Sequence, residues 1–167
     1  MDPLDGTNNF AIGIPMYGVS ITVMHRKNVV LGVIYDSHLD QLYIAEAGGG
    51  SFRNTKAIKV REALPLKKMS VGWIQGHVVQ KNIEAAAIKS RLEFEVKRVI
   101  SLWAPSLLWC MLARGDRQGI VLYNSEGEDL YSGVLMAREA GACIVDFQGR
   151  NFHGINPSLI LLLVIQT

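Results

Sequence analysis

The chain has 167 residues, 49% hydrophobic and 19% charged, with a formal net charge of +2. That length builds one sizeable core and is short for two, and the composition excludes a disordered chain. So small a charge, with no Lys/Arg cluster interleaved with aromatics, argues against nucleic acid or an acidic membrane as partner.

The first stretch to carry chemistry is Asp2-Pro3-Leu4-Asp5-Gly6-Thr7. Pro3 fixes φ between two carboxylates, and Gly6 permits a sharp turn. Two readings follow. Asp-x-x-Asp-Gly is ordinary turn chemistry, in which Asp accepts bonds from its own downstream backbone. Alternatively, two carboxylates and an intervening carbonyl on a stiffened segment form an oxygen-only site for Mg²⁺. If the chain turns into a helix here, the backbone N–H groups of Gly6 and Thr7 can cradle a phosphate oxygen.

From Tyr17 to Met24 apolar residues alternate with Gly18, Ser20 and Thr22, a strand period. A polar turn at 25–28, a second strand from Val29 to Tyr35, a turn from Asp36 to Asp40 and a third strand from Gln41 to Ala47 make an antiparallel meander. Gly48-Gly49-Gly50 follows a strand and lacks the Lys-Ser/Thr of a phosphate loop, so it reads as a turn or bulge. Residues Ala57 to Val60 close this half.

The second half changes period. A strand from Met69 to Ile74 precedes a helix capped by Asn82 and running to about Leu92. Residues Glu95 to Ile100 read as a strand, and Pro105 opens a helix ending at Gly115 with Leu107, Leu108, Met111 and Leu112 on one face. Next come a strand from Gly119 to Tyr123, a helix from Asp129 to Ala140 stopped by Gly141, and a strand from Ala142 to Phe147. The expected architecture is α+β or layered α/β, without a linker between halves. The acidic run Ser125-Glu126-Gly127-Glu128-Asp129 reads as a helix N-cap with favourable charge–dipole interaction.

Cys110 and Cys143 lie in apolar surroundings without metal-ligand spacing, which predicts buried free thiols in a reducing cytoplasm. No basic and apolar leader opens the chain. The longest apolar run, Leu159 to Ile165, is far below the ~20 residues that span a bilayer.

The opening string resembles the Asp-Pro-Ile/Leu-Asp-Gly-Thr-x-Asn-Phe motif of the inositol monophosphatase family. The run from Asp129 to Gly141 is similar to that family's second motif, in which an Asp opens a helix ending in Glu-Ala-Gly. Ile14-Pro15, Gly32-Val33-Ile34-Tyr35-Asp36, Gly50-Ser51-Phe52-Arg53-Asn54 and Trp103-Ala104-Pro105-Ser106-Leu107 resemble further landmarks in the same order. The resemblance implies a sugar-phosphatase-like sandwich of sheets and helices, one domain over residues 1–167 lacking the family's N-terminal helical segment, and a homodimer. By position, Asp2 would bridge two Mg²⁺ ions, the Leu4 carbonyl would bind one, and Asp5 and Asp129 would hold the second. Gly6 and Thr7 would bind phosphate through backbone N–H groups, with the Thr7 hydroxyl orienting a metal-bound water. The implied reaction is hydrolysis of an inositol phosphate or related sugar phosphate by two-metal activation of water, without a covalent intermediate.

Departures from the family pattern are part of the expectation. Members carry a metal-binding, water-activating glutamate on a strand ahead of the first motif. Here nothing precedes Met1, and the strand presenting Asp2 is expected to shrink to one residue. Ser158 to Ile165 resembles the family's last strand, with the chain ending where a helix would follow. Leu122 stands where inositol phosphatases place a ring-contacting Glu, and Leu108 where many relatives have Asp. Fructose bisphosphate, histidinol phosphate and nucleotide bisphosphate therefore stay open as substrates. The alternative to an active phosphatase is an impaired remnant that binds metal or phosphate weakly, or only assembles with itself or a full-length relative. Loss of general-base assistance alone costs ~10²–10⁴-fold in rate.

Overall fold

The computed structural model describes residues 1–62, 64–76, 81–125 and 129–152, with backbone only at Asp129. The segment Ser158 to Ile165, read above as a last strand, lies outside the described residues.

Six antiparallel strands form the first sheet in chain order: β1 (Asp2–Asp5), β2 (Gly18–His25), β3 (Asn28–Asp36), β4 (Gln41–Glu46), β5 (Gly50–Arg53) and β6 (Lys56–Ala57). The period of two read in the sequence is realised as a two-faced sheet. Ser20, Ile34, Tyr43, Ala45 and Ser51 are buried, while Ile21, Val23 and Leu42 alternate with them and are exposed.

Several boundaries differ from the sequence reading. The motif at Asp2 is itself a four-residue strand pairing with β2, so the strand is not reduced to one residue. The glycine run is a turn, but β5 begins on its last residue, Gly50, whose φ of 93° reverses the chain into Ser51. Strand β6 stops at Ala57 because the Val60 N–H leaves the sheet to donate to the Ala140 carbonyl at 3.0 Å. Residues 142–147 make no strand: Val145 forms one isolated bridge with Asn151, and the Asp146 carboxylate binds the turn formed by Gln148 and Arg150.

The second sheet is parallel, with β7 (Ser70–Gln75) between β8 (Arg98–Ile100) and β9 (Gly119–Tyr123). Helix α2 (Ile83–Glu95) joins β7 to β8, and α3 (Pro105–Ala113) joins β8 to β9. These connections cross the sheet in opposite directions, so right-handed crossovers put their helices on opposite faces. The packing agrees. Val71, Trp73, Val121 and Tyr123 pack with Ala85 of α2. Ile74, Ile120 and Leu122 pack with Leu108 and Leu112 of α3 and with Leu130 and Val134 of α4 (Asp129–Glu139). The other side of the α3–α4 pair places Leu107, Cys110, Leu135 and Met136 on Ile34, Tyr43 and Ala45 of the antiparallel sheet. The layers are therefore sheet, helix pair, sheet, helix, the layered mixture expected. Helix α2 runs three residues past Leu92, which delays β8 to Arg98. Its cap is as read, with Asn82 Oδ1 accepting the Ala85 N–H at 2.9 Å.

Hydroxylated residues set the spacing of α4 on the antiparallel sheet. Ser20 Oγ and Ser132 Oγ are 2.7 Å apart, and Ser51 Oγ donates to the Met136 carbonyl at 2.7 Å. The Glu139 carboxylate accepts the Gly48 and Gly50 N–H groups, both at 3.0 Å, and so ties the β4–β5 turn to the helix.

Burial pushes the Cys110 thiol well above its ordinary pKa, whereas Cys143 is only half-buried, a correction to the expectation that both are buried. Since the thiolate is the nucleophile, iodoacetamide at pH 8 is expected to label Cys143 in the folded protein and Cys110 only after denaturation. Peptide mapping checks this; labelling of both at equal rates contradicts the packing. No helix among the described residues is long and apolar enough to cross a membrane.

Candidate active-site cleft

All three parallel strands deliver their C-terminal ends to one place. Gln75 at the end of β7 and Gly76 after it, Ser101 and Leu102 after β8, and Ser125 after β9 line a cleft of about 510 Å³. Ligands of open α/β sheets bind beyond such strand ends, where successive connections depart in opposite directions. The facing wall comes from the other sheet: Asp2, Leu4, Asp5, Gly6 and Thr7. The volume suits a small molecule.

The β1 wall is held by a set of short bonds. Asp2 Oδ1 accepts the Leu4 N–H at 3.0 Å, and Thr7 Oγ1 donates to the Leu4 carbonyl at 2.8 Å. Asp2 and Asp5 pair with Ser20 and Gly18 of β2 across an irregularity in register. Gly6 follows at φ 90°, and a Cβ there would lie 2.7 Å from the Met16 carbonyl, so only glycine fits. The chain then enters the short helix α1 (Thr7–Ala11), anchored by Asn9 Nδ2 donating to the Met16 carbonyl at 2.8 Å.

Asp5 is only 5% exposed. Its Oδ2 accepts the Ser106 backbone N–H at 2.8 Å and also the Ser106 hydroxyl. Ser106 is the second residue of α3, after Pro105, so the carboxylate takes a first-turn donor at the positive end of that helix. The sequence reading used Pro105 and Ser106 as landmarks and gave Ser106 no role; Pro-Ser opening a helix was the available signal. Ser106→Ala is expected to lower stability by ~1 kcal/mol, since a hydroxyl donor to a buried carboxylate is lost. A urea titration reads this, and an unchanged midpoint would mean the hydroxyl bond contributes nothing.

Five of the six residues named from sequence thus share one cleft. The sixth, Asp129, opens α4 four residues after Ser125 of the cleft wall, and its side chain lies outside the description. Leu122 and Leu108 are both core residues, at 1% and 0% exposure, and neither lines the cleft. Neither offers a side chain to a substrate.

The family model described as "Inositol monophosphatase family" matches residues 1–162. The chain belongs to the inositol monophosphatase family. It is 33% identical over 150 residues to the inositol-1-monophosphatase of Mesorhizobium japonicum, covering 89% of this chain and 56% of that relative. A fructose-1,6-bisphosphatase/inositol-1-monophosphatase of Thermococcus kodakarensis is 32% identical over 155 residues, covering 92% and 56%. The solved inositol monophosphatase of Anabaena (Nostoc) superposes with a TM-score of 0.87 at 27% identity, over 96% of this chain and 64% of that one. The chain spans little more than half the length of the curated relatives it matches.

This family implies Mg²⁺, and the donors present can be tested against it. Asp2, Asp5 and the Leu4 carbonyl are hard oxygen donors lining one cleft, which is the chemistry Mg²⁺ takes. Among the described residues no group of three or more His, Cys, Asp or Glu side chains gathers there, so two carboxylates are the described complement.

Proposed function

We propose that the chain is a Mg²⁺-dependent phosphate monoester hydrolase of the inositol phosphate or related sugar phosphate type. The observation that carries this reading is the convergence of Asp2, Leu4, Asp5, Gly6 and Thr7 on one cleft at the ends of a parallel sheet. It is supported by two of the relatives, an inositol-1-monophosphatase and a fructose-1,6-bisphosphatase/inositol-1-monophosphatase.

In this reading Asp2, Asp5 and Asp129 hold the metal with the Leu4 carbonyl, and Asp2 is the bridging carboxylate. When bound, Mg²⁺ supplies an activated water and charge stabilisation at the leaving oxygen. Ser106 donates to the carboxylate of Asp5, a residue of the cleft lining, and so restrains it there. Thr7 donates its proton to Leu4, so its hydroxyl lone pairs are left to accept from a water and orient it. The Gly6 and Thr7 backbone groups bind the phosphate. The two free cysteines suit a cytoplasmic protein, and the helix pair shared by both sheets suits one domain.

The test is phosphate release from inositol 1-phosphate and fructose 1,6-bisphosphate with Mg²⁺ and with excess chelator. Release that requires Mg²⁺ supports the reading; none from either ester overturns it. A second reading, a catalytically impaired chain acting as a homodimeric assembly partner, is favoured by the exposed Ile21, Val23 and Leu42 on the outer face of the antiparallel sheet. It requires an inactive chain that light scattering finds dimeric, and a Val23→Lys variant that is monomeric.

A further inference from the structure

Asp2 and Asp5 reach the cleft from the antiparallel sheet. The wall contributed by the opposite layer holds a cation, Lys89, the single Lys or Arg among the described residues lining the cleft. It comes from α2, on the face of the parallel sheet turned away from α3, α4 and the antiparallel sheet. Ala85, Ile88 and Leu92 of α2 pack on that face. Lys89 follows Ala85 by one helical turn and so shares their stripe, a place that packing alone fills with an apolar residue. It is half-buried, and no ion pair or hydrogen bond engages it among the described residues. A partly desolvated ammonium without a partner is a cost to the free protein that an anionic ligand removes.

We propose that Lys89 is a specificity residue that binds a second phosphate of the substrate, so that the cleft prefers sugar bisphosphates to monophosphates. This rests on the phosphatase reading, which places the reacting phosphate beside Asp5, Gly6 and Thr7. An ammonium is a point-charge binder of phosphate and needs no bidentate geometry. A neutral polyol gives it nothing to pair with.

The experiment compares two esters that differ only by that group, fructose 1-phosphate and fructose 1,6-bisphosphate. Calorimetric titrations are run at low ionic strength on the full chain with Ca²⁺ in place of Mg²⁺, a hard cation for the same oxygen donors, under conditions where phosphate assays detect no hydrolysis of the ester. The wild type is expected to bind the bisphosphate about tenfold more tightly, in line with a partly exposed charge-assisted hydrogen bond. Lys89→Ala should remove that preference and leave fructose 1-phosphate affinity unchanged, and Lys89→Arg should restore it. Thermal midpoints confirm folding, since Lys and Ala are both good helix formers. If the monophosphate binds, and the bisphosphate binds no tighter or loses affinity equally with it in Lys89→Ala, this inference alone is overturned. If neither ester binds the wild type, the phosphatase reading fails and the role of Lys89 falls with it.

Discussion

Asp5→Asn is expected to abolish Mg²⁺ binding while leaving the fold nearly intact. The substitution removes the negative charge and one of the hard oxygens, both of which Mg²⁺ requires of a protein that gives it few ligands. It keeps the shape and a carbonyl oxygen able to accept from the Ser106 N–H and hydroxyl, the two bonds that hold the side chain at the start of α3. Asp5→Ala separates the two roles. It orphans both Ser106 donors in a site where Ser106 is fully buried, and each unpaired polar group costs ~1–3 kcal/mol. The alanine variant should therefore lose stability as well as metal, whereas the asparagine variant should lose metal alone. Calorimetric Mg²⁺ titrations and urea unfolding of both variants distinguish these outcomes. An Asp5→Asn titration equal to wild type would remove Asp5 from the metal site.

Gly133→Ala should be the most damaging single methyl in the described core. In an exposed helix this change stabilises by ~1 kcal/mol. Here the added Cβ would lie 2.2 Å from Trp109 Cδ1, 2.3 Å from Cγ and 2.6 Å from Nε1. Trp109 is fully buried between α3, α4 and the parallel sheet, so its ring has nowhere to retreat. Overpacking of this kind costs ~1–3 kcal/mol and occasionally more, and three overlapping ring atoms put this site at the upper end, for a net loss of about 2–3 kcal/mol. The urea midpoint should fall with little change in slope. In a double-mutant cycle, Trp109→Ala should suffer little further loss from Gly133→Ala, because the clash is gone. A Gly133→Ala midpoint at or above wild type would show that α3 and α4 do not approach so closely.

How much of this was legible beforehand depends on whether the deciding force is local. The strand period from Gly18 to Glu46, the Asn82 cap, Pro105 at the start of α3 and Gly141 after α4 were readable because each satisfies its own backbone or faces one side of a sheet. The ends of elements were not. Residues 57–60 and 142–147 carry strand-like side chains, but the Val60 N–H is taken by the Ala140 carbonyl and residues 146–150 by the Asp146 turn, which no local pattern reports. Strand β5 was hidden for a similar reason: its glycine start looks like a turn until Glu139, 89 residues away, clamps it.

The site divides along the same line. The sequence alone singled out Asp2, Asp5, Gly6 and Thr7, since their spacing, the proline and the glycine at the turn are properties of a few adjacent residues. It also determined the family to which the chain belongs. Only the tertiary structure decided that Asp5 is buried against the start of α3, 101 residues on, with Ser106 as its partner. It likewise decided that Leu108 and Leu122 face the core and that Lys89 faces the cleft. The physical reason is that burial and electrostatic pairing belong to the layers that meet, and the order of residues along one chain does not state which layers those are.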